Sequence, residues 1–261
     1  MDTTLYRDIN SFAVHTAWAH SFMKFYAVYG VGIFAVLVLA AWWFARFRPD
    51  APRAVAATVW AAAATVIAVG INQPIVNTVR RPRPFVTLRG VEVLIARAHD
   101  FSFPSDHAVA AGAATAGLWI VTRYGGKALR NLAIVSTILA VFLAFARVYV
   151  GAHYPGDVLA GLGIGAAIAV IGWLALNGVL TYVVRRVATQ RQLRPFVIAP
   201  TPFAPQHPRI GWEATQGAVA DSMRPNLPPS PPRGWRDLGP SQRIRDDAHV
   251  GSATDHTPTA P

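Results

Sequence analysis

The chain holds 261 residues, of which 53% are hydrophobic and 14% charged, with a net charge of +11 and no cysteine. The lack of cysteine removes disulfides and thiolate metal ligands. The positive charge does not point to nucleic acid. The basic residues stand at the ends of apolar blocks about 20 residues long, the length that crosses a bilayer, where topology and anionic headgroups favour Lys and Arg.

Residues 1–24 are expected to form an N-terminal extracytoplasmic or interfacial segment. Within it, 5–24 mix aromatics, His and Ala without a long apolar run, which suits either an interfacial helix or a lead into the first span. Asp2 and Asp8 precede any apolar core, unlike a cleaved signal peptide. The first predicted span, about 25–45, ends in Trp42-Trp43-Phe44 and then Arg46 and Arg48, an aromatic belt followed by positive charge. The second, about 54–79, carries Asn72, Gln73 and Pro74, which read either as a kink or as a polar lining beneath a site.

A long loop, 80–104, comes next. The third span, about 105–122, is rich in Ala and Gly, and such low bulk suits a helix inside a bundle. The fourth is about 129–149 and the fifth about 157–184, where Gly161, Gly163 and Gly165 would permit close helix contact. The expected fold is therefore an all-α polytopic membrane bundle of about five transmembrane helices, with its membrane domain over 25–186. Residues 187–261 hold thirteen of the twenty prolines and few aliphatics, as in a disordered tail.

Five spans put Arg46, Arg48 and Arg53, then Arg123, Lys127 and Arg130, then Arg185, Arg186, Arg191 and Arg194 on one side. The positive-inside rule makes that side cytoplasmic, and the tail with it. The loops 80–104 and 147–156 fall outside. The first of these carries Arg80, Arg81, Arg83, Arg89 and Arg97 against the rule, which suggests arginines kept for function.

Three polar islands share that outer side: Arg81-Pro82-Arg83-Pro84, Pro104-Ser105-Asp106-His107, and Arg147 with His153 and Asp157. Proline after Arg81 and after Arg83 forces the first into extended backbone, presenting guanidiniums whose paired donors match phosphate oxygens. Ser105 is placed to cap the third span, at a helix start suited to anions. His107 in the first turn can give a proton to a leaving oxygen. Asp106 is expected to face the helix dipole or an arginine. His153 precedes Tyr154-Pro155-Gly156, read as a turn that folds the Asp157 carboxylate back onto the His153 ring. That would fix the tautomer and leave the other nitrogen free to attack.

These islands resemble the signature of the type 2 phosphatidic acid phosphatase family, which includes vanadium haloperoxidases and bacterial acid phosphatases. The family pattern is Lys-x6-Arg-Pro, Pro-Ser-Gly-His and Ser-Arg-x5-His-x3-Asp. Arg83-Pro84, then Pro104, Ser105 and His107, then Arg147, His153 and Asp157 match it, within about residues 54–184. Val76 stands where the family has Lys, Asp106 where it has Gly, and Ala146 where it has Ser. Arg80 or Arg81 is left as a replacement for the lysine. Arg-Pro-Arg-Pro-Phe, Phe-Pro-Ser-Asp-His-Ala and Ala-Arg-Val-Tyr-Val-Gly-x-His-Tyr-Pro-x-Asp are similar to the bacitracin-resistance branch, the undecaprenyl-diphosphate phosphatases.

The resemblance implies that His153 attacks phosphorus to form a phosphohistidine and Asp157 orients it. His107 protonates the leaving group and then activates water. Arg83, Arg147 and Ser105, with Arg81 as a further candidate, hold the phosphoryl oxygens. It implies no metal and no cofactor, a lipid diphosphate substrate, contact with membrane lipids, and a bacterial cell membrane with the site on its outer face. Two alternatives stand beside this one: a broader lipid phosphatase acting on phosphatidate or phosphatidylglycerol phosphate, and a non-catalytic lipid-binding protein. The absent lysine and the spans weigh against a haloperoxidase.

Overall fold

The computed structural model describes residues 2–200, and every regular element among them is helical. The helices are α1 (Asp2–His15), α2 (His20–Tyr29), α3 (Val31–Ala45), α4 (Ala51–Val79), α5 (Pro84–Thr87), α6 (Asp106–Val121), α7 (Lys127–Tyr149), α8 (Pro155–Thr189) and α9 (Arg194–Val197). Three runs are long and apolar enough to cross a membrane: Ala51–Thr87, Lys127–Tyr149 and Pro155–Thr189. The pair Ala17–Tyr29 and Val31–Ala45 makes a fourth if the two halves, bent by 57°, act as one span.

The expectation of about five spans thus changes in two places. The first span is not one straight helix over 25–45; it breaks at Gly30. The third is the 16-residue α6, about 24 Å long at 1.5 Å per residue, shorter than the ~30 Å hydrocarbon layer. α6 is instead the central post of the bundle. Ala108, Val109, Ala111, Gly112, Ala113 and Ala114 are buried, and α4, α7 and α8 surround them.

Small residues explain that centrality. A side chain at Gly112 would run into the Leu162 backbone, at Gly165 into the Val109 carbonyl, and at Gly117 into Ala61. Gly161 faces Ala108 Cβ at a would-be 2.9 Å. These glycines let backbones approach to a distance that any Cβ would forbid. Gly163 faces nothing within 4 Å, so of the three glycines expected at helix contacts only Gly161 and Gly165 serve there. Polar ties supplement the packing. Trp60 Nε1 donates to the Ala169 carbonyl (2.8 Å), and the Thr115 and Ser136 hydroxyls pair at 2.7 Å. The outer faces of α3, α4, α7 and α8 expose Val36, Val66, Ile138 and Leu174, as lipid contact requires.

The two ends of the bundle differ in character. At one, the C-terminal ends of α4 and α7 meet the N-terminal ends of α6 and α8. At the other, the segment after α8 folds back: Trp42 Nε1 donates to Phe196 O (3.0 Å), Arg46 Nη1 to Pro195 O (2.9 Å), and the Ala199 N–H to Arg46 O (3.0 Å). Residues 187–199, which the composition assigned to a disordered tail, therefore continue α8 and dock on the end of α3. The rest of the expected tail, from residue 201, lies outside the described residues. At the N-terminus, 2–24 are helical except for a break at Thr16, and α1 packs across α7 and α8 at the end where the islands gather.

Candidate active site

His153 sits between α7 and α8. The backbone leaves α7 through Gly151, whose φ of 81° is costly for any residue with a Cβ. Tyr154 caps α8 and Pro155 occupies its first turn, where a missing N–H costs nothing. Pro155-Gly156 therefore opens the helix; it is not the separate turn the sequence suggested.

The His153 ring is buried, 2% exposed, and its protonation can be read from its neighbours. Nδ1 lies 2.7 Å from the Ser102 carbonyl, which can only accept, so the proton is on Nδ1. Nε2 faces Arg83 Nη1 at 3.3 Å and Arg147 Nη2 at 3.2 Å, groups that can only donate. Both contacts select the same neutral tautomer, with the Nε2 lone pair turned to the two guanidiniums. Burial, then the charges of Arg147 and Arg83, hold the His153 pKa well below the ordinary histidine value.

The Asp157 contact differs from expectation. Its Oδ2 is 4.0 Å from His153 Nδ1, beyond hydrogen-bond reach. That oxygen instead accepts from Ser102 Oγ (2.5 Å) and from the Tyr154 N–H (2.9 Å), while Oδ1 accepts from Arg81 Nη1 (2.6 Å). Asp157 is linked to the histidine through Ser102, whose carbonyl accepts from the ring and whose hydroxyl donates to the carboxylate. The rise along the first turn of α8 leaves the carboxylate beside the N-cap, where it satisfies a free N–H.

Arg83 and Arg147 are each 6% exposed. Arg83 is locked by Asp100, which takes Nε at 3.0 Å and Nη2 at 2.8 Å on Oδ1, and by the Ala152 carbonyl at 3.0 Å from Nη1. Arg147 Nη1 donates to Ala27 O (3.0 Å), and its Nε has no partner among the described residues. A cavity of about 210 Å³ opens in front of them, lined by Arg83, Arg147, His153, His107, Asp106, Asp100 and Val76 among others. That is room for a phosphoryl group, not for a lipid tail.

Arg81 and Ser105 fall outside this wall. Arg81, a candidate phosphate ligand from the sequence, has Nη1 on Asp157 and Nη2 on Asp2 Oδ2 (2.5 Å), and it stacks 4.1 Å over the Tyr154 ring. Arg83, two residues on, has other partners, Asp100 and His153. Ser105 is fully buried; its N–H donates to Asp157 O (3.2 Å), and its hydroxyl neither caps α6 nor finds a partner among the described residues. Val76 does line the cavity, so the position of the family lysine is an apolar wall. Arg80 does not compensate, being exposed and bonded to Asn77 O.

Asp106 Oδ1 accepts from Asn72 Nδ2 (2.7 Å) and Gln73 Nε2 (3.0 Å), and Asn72 also reaches Pro104 O (3.2 Å). Asn72 and Gln73, read from the sequence as a kink or as a polar lining, tie α4 to the start of α6 through these bonds and are not among the residues that line the cavity. Asp106 is held by these amides, neither by the helix dipole alone nor by an arginine. Sequence reasoning missed Ser102, Asp100 and Asp2. A backbone carbonyl leaves no trace in residue type, so Ser102 had no signal. Asp100, an acid in an arginine-rich loop, offered a weak one.

Comparison with known proteins identifies the family. The PAP2 superfamily pattern matches residues 57–180. Undecaprenyl-diphosphatase BcrC of Bacillus subtilis is 30% identical over 162 residues, 62% of this chain and 77% of the relative. The lipid A 1-phosphatase of Rhizobium etli is 38% identical over 82 residues, 31% of this chain and 29% of the relative. The crystal structure of Aquifex aeolicus LpxE is similar at 24% identity and a TM-score of 0.49, covering 65% of this chain and 93% of that one. With its helical architecture, its membrane-length helices and the arginine-bound histidine at one end of the bundle, this chain belongs to the PAP2 superfamily and is a multi-pass membrane phosphatase.

Proposed function

We propose that the protein hydrolyses a membrane lipid diphosphate, undecaprenyl diphosphate, to undecaprenyl phosphate and inorganic phosphate. The observation that carries the chemistry is the His153 Nε2 lone pair facing Arg83 and Arg147 in a phosphoryl-sized cavity with His107 on its wall. The substrate assignment draws on the similarity to BcrC and on the Asp106 and Ala146 departures.

In the first step Nε2 attacks the terminal phosphorus. The N–P bond forms as the bridging P–O bond breaks. Arg83 and Arg147, already aimed at Nε2, take up the equatorial oxygens and stabilise their charge without rearranging. Burial and the charge of Arg147 lower the His107 pKa to about 4 in the empty site, so in this mechanism His107 takes up a proton as the phosphate's negative charge enters and then gives it to the departing lipid phosphate. In the second step neutral His107 takes a proton from water, the hydroxide oxygen bonds phosphorus, and the P–N bond breaks to release phosphate and free His153. No step calls for a metal, so turnover is expected to persist in excess EDTA.

The arginines grip phosphate and do not choose a tail, so a broader lipid phosphatase is the second reading. Release of phosphate by purified protein is to be compared on undecaprenyl diphosphate, phosphatidate and phosphatidylglycerol phosphate, with His153→Ala as control. The prenyl diphosphate is expected to be turned over fastest, and the control to lose at least about a thousandfold. Turnover of phosphatidate with none of the prenyl substrate would sink the narrower assignment.

The similarity to BcrC of Bacillus subtilis supports a bacterial cell membrane, and the charge pattern supports the cavity on the extracytoplasmic face and the end of α8 in the cytoplasm. Because the chain has no cysteine, single cysteines can report this. Arg89→Cys should react with an impermeant maleimide on intact spheroplasts and Arg123→Cys should not; the reverse pattern inverts the topology.

A further inference from the structure

Asp2 is remote from the cavity, yet it closes a continuous set of polar contacts that ends on the nucleophile. Its Oδ2 accepts from Arg81 Nη2 at 2.5 Å, and its Oδ1 accepts the Gly156 N–H at 2.8 Å. Arg81 Nη1 then donates to Asp157 Oδ1 (2.6 Å), Ser102 Oγ to Asp157 Oδ2 (2.5 Å), and His153 Nδ1 to Ser102 O (2.7 Å). Asp2 grips both supports of Asp157: its arginine and the first turn of its helix.

α1 is built onto this end of the bundle. Asn10 pairs with the Glu92 backbone through both its amide nitrogen (2.8 Å) and its amide oxygen (2.9 Å). Tyr6 is fully buried against Tyr154, 5.5 Å between ring centroids. Helix and loop are thus held by their own contacts, and Asp2 adds a charged contact aimed at the site. A guanidinium is a planar fork, and fixing one tine on Asp2 sets the angle at which the other meets Asp157. Arg81 is 31% exposed and Asp157 fully buried. Without Asp2 the arginine has room to turn outward, leaving the carboxylate to be shared between Ser102 and Tyr154 alone.

We infer that Asp2 is a positioning residue for the phosphatase reaction, acting through Arg81, Asp157 and Ser102 on the aim of His153. This rests on the reading of His153 as the nucleophile. The effect belongs in the chemical step, because Asp2 makes no contact with the cavity wall and small misplacement of a reacting group is costly.

The test is a double-variant cycle in detergent on undecaprenyl diphosphate, with thermal unfolding followed in parallel. Asp2 is about one-third exposed at the start of α1, so its replacement leaves the packed core untouched. Asp2→Asn is expected to lower kcat by about tenfold with KM within about twofold. Asp2→Glu, which keeps the charge, should recover most of that loss. Asp2→Asn combined with Arg81→Gln should be no slower than Arg81→Gln alone, since both act through one set of contacts. Asn10→Ala, which loosens α1 elsewhere, should lower the unfolding temperature with little change in kcat. Wild-type kcat in Asp2→Asn, losses that multiply in the double variant, or equal kcat losses in Asp2→Asn and Asn10→Ala each overturn the inference. His153→Ala in the same series separates two failures. Turnover surviving in it removes the nucleophile assignment, whereas its inactivity beside a wild-type Asp2→Asn removes only the positioning role.

Discussion

Arginines crowd both ends of this bundle, and the ends use them in opposite ways. At the far end Arg53 and Arg185 share Asp50 at 3.3 and 3.8 Å, with both arginine side chains 54% exposed. Arg46 lies over Trp42 and Trp43 at 4.6 and 4.2 Å. Such groups lean on water, aromatic faces and headgroups, and each exposed pair contributes little. At the site end Arg83 and Arg147 are buried, fixed by carbonyls and Asp100, and turned to one imidazole nitrogen. Like residue types thus stand exposed at one end and buried around one imidazole at the other. What separates them is burial with directed partners.

Four experiments probe that contrast. The largest effect is expected for Arg147→Ala, which removes a buried donor facing His153 Nε2 and, on the proposed mechanism, should lower kcat/KM by about a thousandfold. Recovery of activity with free guanidinium would tie the loss to the missing charge. Next, Ser102→Ala keeps the carbonyl on His153 Nδ1 but deletes the hydroxyl on Asp157. A fall of about tenfold in kcat is expected, with KM steady. A loss as large as that of Arg147→Ala would mean that the carboxylate and hydroxyl do more than aim the ring.

The third experiment is a pH profile. On the proposed mechanism His153 must be neutral to attack, and its pKa is held well below the ordinary value by burial and the two arginines. Activity should therefore persist as pH falls through the usual histidine range near 6.5, and the acid limb of kcat/KM should lie below it. Stability follows the same group with a definite sign. Between the ordinary and the lowered pKa the unfolded chain binds a proton that the native site refuses, so this group's contribution is full above the ordinary value and declines as pH drops beneath it. An Arg147→Ala variant should move the acid limb upward; an unmoved limb would separate the titration from the arginine. The smallest effect is expected at the far end. Arg53→Ala and Arg185→Ala should change stability by no more than about 0.5 kcal/mol and leave turnover within twofold.

Much of the site was legible in residue order because its parts must lie at helix ends on one face of a membrane. Counting spans brings Arg83, His107, Arg147 and His153 to one side, and the structure gathers these four around one cavity. Arg81 and Ser105 were not separable from them by type. Arg81 and Arg83 find different partners two residues apart, and Ser105 is turned under α8 where Gly161 lets the backbones close. The α6 helix was recognised as interior from its Ala and Gly content, yet its shortness relative to a bilayer appears only when its first turn is seen to start at Asp106.

Sequence alone determined the helical class, the membrane-length apolar runs, the pole at which the polar islands meet and the phosphate chemistry they suit. These follow from period, length and residue type, which are local properties. Tertiary structure decided which arginines face His153, that Ser102 stands between Asp157 and His153, that Val76 leaves an apolar wall where a cation was expected, and that Asp2 reaches the back of the site. Those depend on hydrogen bonds to backbone groups and on directions set by packing. Any residue can supply a carbonyl, and a side chain's aim is fixed by neighbours distant in the chain, so neither is written in the order of residues.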